Sequence, residues 1–213
     1  MVGKLLNLID EKYPLSEKTI SDMASLKAKG MTFSISAYNA SGLGHVSVMR
    51  ANGFFGLMKM DTVIINPTEI DLPLYSYDRI FMAGNDMLIV ELYDTLCAEF
   101  DNGEMNRVKE KYASIPERDP GVHWYDEIKL ESSISKKGKK KNCSVMDSLA
   151  EEHFSAYLSS TERKTSDLSV KQSKACDYVD GLLKRGGPST DVFKKSFGEE
   201  FTAKLFREVL FGI

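Results

Sequence analysis

Residues 31–92 read MTFSISAYNASGLGHVSVMRANGFFGLMKMDTVIINPTEIDLPLYSYDRIFMAGNDMLIVEL. Short apolar runs rich in Val, Ile and Phe alternate in this stretch with turn-forming residues. Runs of this length joined by short turns are typical of β-hairpins, so the stretch predicts a largely antiparallel sheet. The strongest turn prediction is Asn52-Gly53, because both residue types tolerate the positive φ of a tight hairpin. The predicted strands span residues 31–40, 45–52, 54–65, 79–82 and 87–92.

Helical patterns precede and follow this sheet. Leu5, Leu6 and Ile9 predict a first helix, and a second is predicted from Ser16 to about Lys29 with Gly30 as its stop. Further helices are predicted over residues 146–158, 168–183 and 190–210. Helices before and after one continuous sheet can cover both of its faces. The expected fold class is therefore α/β, a three-layer α/β/α sandwich with a central, largely antiparallel sheet.

Length, charge and cysteine content narrow the class of protein. A chain of 213 residues can bury one core, so residues 1–213 are expected to form a single domain. The formal net charge of −3 does not favour a nucleic-acid partner. No apolar run approaches the roughly 18 residues of a membrane span, and the first residues do not resemble a signal peptide. The three cysteines are odd in number and far apart, so we expect a reducing cytoplasm as the location. We also expect a monomer without membrane association.

The sequence also shows no pattern for a bound metal or nucleotide. His45, His123 and His153 share no spacing typical of metal ligands. Gly42-Leu43-Gly44 lacks the further glycine and the helix start of a dinucleotide-binding loop. We therefore expect neither a metal nor a bound cofactor.

Two stretches resemble the ferredoxin-dependent bilin reductases, and in particular the phycocyanobilin:ferredoxin oxidoreductases. The first is Asn66-Pro67 followed by residues 71–78, DLPLYSYD, where the family carries a proline, a few residues and then L-P-x-F/Y-G-x-D. The second is residues 193–200, FKKSFGEE, with the chain then ending near Val209-Leu210-Phe211. A weaker match lies at residues 120–127, around Trp124. The matches occur in the order that the family has.

The resemblance implies an enzyme that reduces a linear tetrapyrrole of the biliverdin type. Such enzymes take single electrons from reduced ferredoxin or flavodoxin and hold no bound metal or flavin. An acid beside the ring system must then supply protons. The family's aspartate at the end of the L-P-x-F/Y-G-x-D element falls on Asp78, which is our first candidate for this acid. From the residues alone, a local turn hydrogen bond at the start of a strand is the better explanation of Asp78, and the resemblance makes it the first candidate for the acid.

Two other positions depart from the family pattern. The family has a glutamate on the strand that here contains Met49 and Arg50, and this chain has no carboxylate there. The family's histidine or asparagine, five residues before its proline, falls on Thr62, next to Asp61. Thr62 does not titrate, so Asp61 is the second catalytic candidate, with Thr62 beside the substrate. These differences favour either altered regiospecificity or loss of turnover on the same fold.

Cations are needed for the two propionates of a bilin. Counting from Trp124, the family's arginine falls at or near Lys136, and Arg50 is a second candidate, with a solvent-facing arginine as its plain alternative. Lys136 also begins the basic run of residues 136–141, KKGKKK. This run is either a solvated loop or a docking patch for an acidic electron donor.

Two other classes of protein fit the same residues. One is a protein that binds a tetrapyrrole, or another flat anion, without turning it over. The other is an interaction module without a small ligand, which predicts a shallow or filled face above the sheet.

Overall fold

Eight β-strands and six α-helices form the part of the chain that the computed structural model describes, residues 1–139, 143–160 and 167–213. The strands are β1 (Leu15–Lys18), β2 (Ser25–Ala28), β3 (Met31–Ala40), β4 (Gly44–Gly53), β5 (Met58–Pro67), β6 (Leu74–Met82), β7 (Asn85–Tyr93) and β8 (Ile134–Lys139). The helices are α1 (Val2–Lys12), α2 (Gly103–Lys111), α3 (Cys143–Ser159), α4 (Leu168–Arg185), α5 (Pro188–Phe197) and α6 (Glu199–Lys204). A π-helix, Leu205–Phe211, follows α6 directly. None of the helices in these ranges is long and apolar enough to cross a bilayer.

The strands form one sheet in the order β1-β3-β4-β5-β6-β7-β8, with β2 also paired to β3. Every one of these strand pairs is antiparallel. From β3 to β7, strands that are neighbours along the chain are neighbours in the sheet, as short hairpin turns require. The predicted α/β fold with a central, largely antiparallel sheet is confirmed.

Two clusters of buried apolar side chains pack against the sheet. The first joins α1 and α3 to sheet residues such as Val63 and Leu88. The second joins α4, α5 and the π-helix to sheet residues such as Met49 and Ile64. Successive side chains of a strand point to opposite faces, and Val63 and Ile64 are consecutive in β5, so the two clusters lie on opposite faces of the sheet.

The predicted helix over residues 16–29 is wrong. The chain instead forms β1, a short 3₁₀ turn and β2. Leu26 is spaced to continue a helical stripe, but it pairs with Phe33 across the β2–β3 hairpin. Lys29 and Gly30 both have positive φ and form the turn, so Gly30 reverses a hairpin and does not end a helix.

The turn predicted at Asn52-Gly53 lies slightly too early. Both residues are still part of β4 and pair with β5. The chain reverses at Phe54, Phe55 and Gly56, which all have positive φ. Pairing between the two strands thus continues through both residues of the sequence pattern that favours a turn.

The C-terminal region is less regular than the predicted single helix over residues 190–210. It consists of α5, α6 and the π-helix, and Gly198, whose φ is 87°, caps the end of α5. The sequence also did not predict β8, whose residues 134–139 extend the sheet beyond β7. In the basic run, Lys136, Lys137 and Lys139 are strand residues, whereas Lys140 and Lys141 lie outside the described residues.

Candidate active site

A cleft lies over the face of the sheet that carries the second apolar cluster. It holds about 980 Å³ of space, part of it open to solvent. Side chains of β4 to β7 form its floor, and the loop around His123, helix α4 and the π-helix form its walls. The floor residues are Met49, Met60, Thr62, Ile64, Ser76, Asp78, Ile80, Ile89, Glu91 and Tyr93.

Strand register brings Thr62 and Asp78 together on this floor. The two residues are direct partners across the β5–β6 pair, so their side chains point to the same face. The Thr62 hydroxyl donates a hydrogen bond to Asp78 Oδ1. The structure therefore places both predicted residues in one cleft and in direct contact.

Asp78 can hold a proton close to neutral pH. Burial raises the pKa of its carboxyl group to about 6, from an ordinary value of 3.8. The hydrogen bond from Thr62 opposes this rise, and the negative charge of Glu91 adds to it. A carboxyl group with such a pKa can both give up and regain a proton in the physiological range.

Glu91 is a second carboxylate on the same floor, and sequence reasoning missed it. The Tyr93 hydroxyl donates a hydrogen bond of 2.6 Å to Glu91 Oε2. Lys129 Nζ lies 3.8 Å from the other carboxylate oxygen. Burial raises the pKa of Tyr93 well above its ordinary value of 10, so its hydroxyl remains a proton-bearing donor. The alternating pattern of β7 would have placed Glu91 on the side opposite Leu92.

The walls of the cleft are largely aromatic and apolar. The His123 ring stacks on the Tyr125 ring with centroids 4.9 Å apart and planes within 5°. Across the cleft, Phe206, Leu210 and Phe211 of the π-helix contribute side chains. Flat, polarisable walls of this kind suit a flat conjugated ligand.

Polar side chains of the sheet hold the π-helix in place. His45 Nε2 lies 2.8 Å from the Val209 carbonyl, and Ser47 Oγ donates to the Leu210 carbonyl over the same distance. Asn66 makes an equivalent bond to the next carbonyl, at Phe211. Burial lowers the pKa of His45 to about 4, so the ring is neutral near pH 7 and donates from Nε2. Three successive carbonyls are thus fixed, and with them this wall of the cleft.

Arg50, Asp61 and Lys136 lie on the opposite face of the sheet, so the prediction that they share the cleft with Asp78 is wrong. Arg50 pairs with Asp61, and the pairing continues across the neighbouring strands through Arg79 and Leu88 to Lys136, so all of these side chains point to the same face. The Leu88 side chain packs in the first apolar cluster. Thr62 and Asp78 are the next pair along the same strands. Because successive residues of a strand point to opposite faces, the side chains of Thr62 and Asp78 lie on the other face of the sheet.

Each of the three has a partner on that opposite face. Arg50 Nε lies 3.9 Å from Asp61 Oδ1 in a solvent-exposed pair. Lys136 is only 3% exposed, forms an ion pair with Glu117 and donates to the Ile115 carbonyl at 3.2 Å. None of the three is therefore placed to contact a ligand beside Asp78.

The cations of the cleft are different residues. Arg118 lines both the cleft and an adjoining outer pocket, which Lys129 and Lys137 also line. Lys129 is already paired with Asp126, at 2.5 Å. In the described ranges, no carboxylate pairs with the Arg118 guanidinium. The signal that could have identified Arg118 is its place two residues before Pro120, where the weaker sequence match begins.

Within the described residues, no group of three or more His, Cys, Asp or Glu side chains is placed to hold a metal ion.

Comparison with known proteins gives a match in structure. No family model matches the sequence, and no curated protein matches it significantly. The crystal structure of phytochromobilin synthase from tomato, solved in complex with biliverdin, matches 99% of this chain and 81% of its own chain. The TM-score is 0.79 and the sequence identity is 15%. The chain therefore has the fold of a ferredoxin-dependent bilin reductase, and the resemblance seen in its sequence is confirmed at the level of the fold.

Proposed function

We propose that this chain is an oxidoreductase that reduces a carbon–carbon double bond of a linear tetrapyrrole of the biliverdin type. Reduced ferredoxin or flavodoxin would deliver the electrons one at a time, without a cofactor bound to the chain. The observation that carries the proposal is Asp78, a carboxyl group with a pKa of about 6 on the floor of a cleft with apolar walls. The fold shared with a protein solved in complex with biliverdin supports this substrate class.

Asp78 is the proton donor in this proposal. When an electron enters the conjugated system, the resulting radical anion becomes basic, and a neighbouring carboxylic acid can protonate it. Thr62 orients the carboxyl group through its hydrogen bond. Asp61 has no part in the reaction, because its side chain lies on the other face of the sheet.

Arg118 is the cation for a propionate group. Its guanidinium is the kind of group that binds a carboxylate through two parallel hydrogen bonds. The outer pocket beside it also carries Lys137, an exposed residue whose side chain shares the face of Asp78. A bilin with its rings in the cleft would thus direct its acidic groups toward the outer pocket.

The packing of the helices supports our proposals for the architecture and the number of domains. The two apolar clusters on opposite faces of the sheet favour a three-layer α/β/α sandwich. Contacts between α1 and α3, which lie far apart in the sequence, favour a single domain over residues 1–213. We expect this domain to act as a monomer in the cytoplasm.

A protein that binds a tetrapyrrole without turnover is the second candidate. It is favoured by Met49 and Thr62, two floor residues that cannot titrate where the family has acid–base groups. Both candidates predict binding, and only the enzyme predicts reduction.

Absorbance spectroscopy of the purified chain with biliverdin tests the proposal. We expect a shifted visible band at one equivalent, followed by its loss when reduced ferredoxin or flavodoxin is added under anaerobic conditions. Binding without any loss of the band would establish the second candidate. Absence of a shifted band would rule out both.

A further inference from the structure

Glu91 occupies the junction between the cleft and the outer pocket. It lines both, together with Arg118 and Pro120. Its side chain is 16% exposed, so it reaches solvent and is still largely enclosed by protein. A titratable group in this position can exchange protons with water on one side and with a ligand on the other.

The sheet places Glu91 next to Asp78. Glu91 is the register partner of Ser76, and Asp78 follows Ser76 by two residues on the same face. The two acidic residues are therefore diagonal neighbours on adjacent strands, about 7–8 Å apart. The negative charge of Glu91 contributes to the raised pKa of Asp78.

Hydrogen bonding fixes the orientation of Glu91. The Tyr93 hydroxyl donates to Oε2, which leaves Oε1 to face Lys129 at 3.8 Å. Tyr93 is buried against Tyr178, with ring centroids 4.2 Å apart, so this anchor is rigid. Tyr93 thus holds one oxygen, and the other faces Lys129 on the side of the outer pocket.

Reduction of one double bond requires two electrons and two protons. The first electron forms a radical anion, and one proton converts it to a neutral radical. The second electron forms an anion, which needs another proton before the new C–H bonds are complete. Asp78 can supply one proton in this sequence, and it is ionised afterwards.

We propose that Glu91 is the donor of the second proton. In this step the Glu91 carboxylate takes a proton from water in the outer pocket, the new O–H bond then breaks as the proton bonds to the anion formed by the second electron, and the carboxylate is regenerated. Both electrons come from the reduced ferredoxin or flavodoxin. This inference rests on the proposed function, because it assigns a residue to the second half of the same reduction.

The test is stepwise reduction of bound biliverdin, followed by absorbance and by electron paramagnetic resonance. In Glu91→Gln, we expect the first electron to enter at the wild-type rate, the radical to accumulate, and the second phase to slow by about 100-fold or more. Glu91→Asp keeps a carboxyl group and is expected to show less radical than Glu91→Gln. Glu127→Gln is the control, since this exposed residue lies on the same side of the molecule and does not line the cleft.

His123 is the competing donor, because its ring also lines the cleft. Accumulation of the radical in His123→Gln, and not in Glu91→Gln, would assign the second proton to His123 and overturn the proposal. Equal rates and no radical in Glu91→Gln, or equal radical in Glu91→Asp and Glu91→Gln, would also overturn it while the proposed function stands. If the wild-type protein binds biliverdin but accepts no electrons, the proposed function and this inference both fail.

Discussion

Thr62 donates a hydrogen bond from its hydroxyl group to the carboxyl group of Asp78, across the register pair that joins β5 to β6. The bond stabilises the ionised carboxylate and works against the effect of burial. The pKa of about 6 thus reflects burial and the charge of Glu91, which raise it, and this hydrogen bond, which lowers it and can be removed by substitution.

Thr62→Val is expected to raise the pKa of Asp78, because it removes the hydrogen bond and keeps the shape of the side chain. Hydrogen bonds to charged groups contribute about 1.5–3 kcal/mol, which corresponds to about one to two pH units. Turnover depends on protonated Asp78, so its decline with rising pH should move upward by this amount. Thr62→Ser keeps the hydroxyl and should retain the wild-type profile. Identical profiles for all three proteins would show that the bond does not tune Asp78.

Asp78→Asn is expected to be more stable relative to the wild type at high pH than at low pH. The folded-state pKa of Asp78 is raised from 3.8 to about 6, so folding favours the protonated form, and this contribution is lost as pH rises through 6. The amide does not titrate and avoids that loss. The free energy of unfolding of the variant minus that of the wild type should grow by up to about 3 kcal/mol between pH 4 and pH 8. Urea unfolding at the two pH values measures this, and a constant difference would contradict the raised pKa.

His45 is expected to destabilise the protein in acid. Its folded-state pKa is lowered from 6.5 to about 4, so folding favours the neutral ring, and this contribution is lost as pH falls through the interval from 6.5 to 4. His45→Gln can keep a donor to the Val209 carbonyl without titrating. The variant should lose less stability than the wild type over this interval, by up to about 3 kcal/mol. Parallel stability curves from urea unfolding across this range would show that His45 is not the titrating group.

Arg118→Met is expected to weaken the binding of biliverdin by about 10- to 100-fold, because it removes the cation proposed for a propionate. Arg50→Met lies on the opposite face and should leave the dissociation constant unchanged. Absorbance titrations give both constants. Biliverdin dimethyl ester, which lacks the negative charges, should bind the wild type and Arg118→Met with similar affinity. A loss of affinity in Arg50→Met alone would contradict the assignment.

The sequence predicted those parts of the fold that depend on local pattern. The hairpins between residues 31 and 93 follow from apolar runs separated by turn residues, and β3 begins and ends at the predicted residues. Residues 16–29 fit the pattern of a helix because Leu26 satisfies a helical spacing. They form strands instead because Leu26 pairs with Phe33 across the hairpin turn at Lys29 and Gly30. Tertiary pairing decides such short segments.

Only the part of the candidate site that lies close to sequence motifs could be predicted. Asp78 and Thr62 were identified because each lies at a fixed distance from a recognisable motif. Lys136 was placed by counting, and a shift of one residue in a strand moves a side chain to the other face. Arg118 enters the cleft because its segment pairs with β8 through Ser135, a long-range contact that no local pattern encodes.

Single-turnover reduction of bound biliverdin by Asp78→Asn, compared with the wild type, measures whether Asp78 donates the proton. Asp61→Asn is the matched comparison, because it changes a neighbouring carboxylate on the other face of the sheet. With binding confirmed by absorbance, Asp78→Asn is expected to be slower by about 100- to 10,000-fold, and Asp61→Asn to match the wild type. Equal rates for Asp78→Asn and the wild type would contradict the assignment of Asp78 as the proton donor.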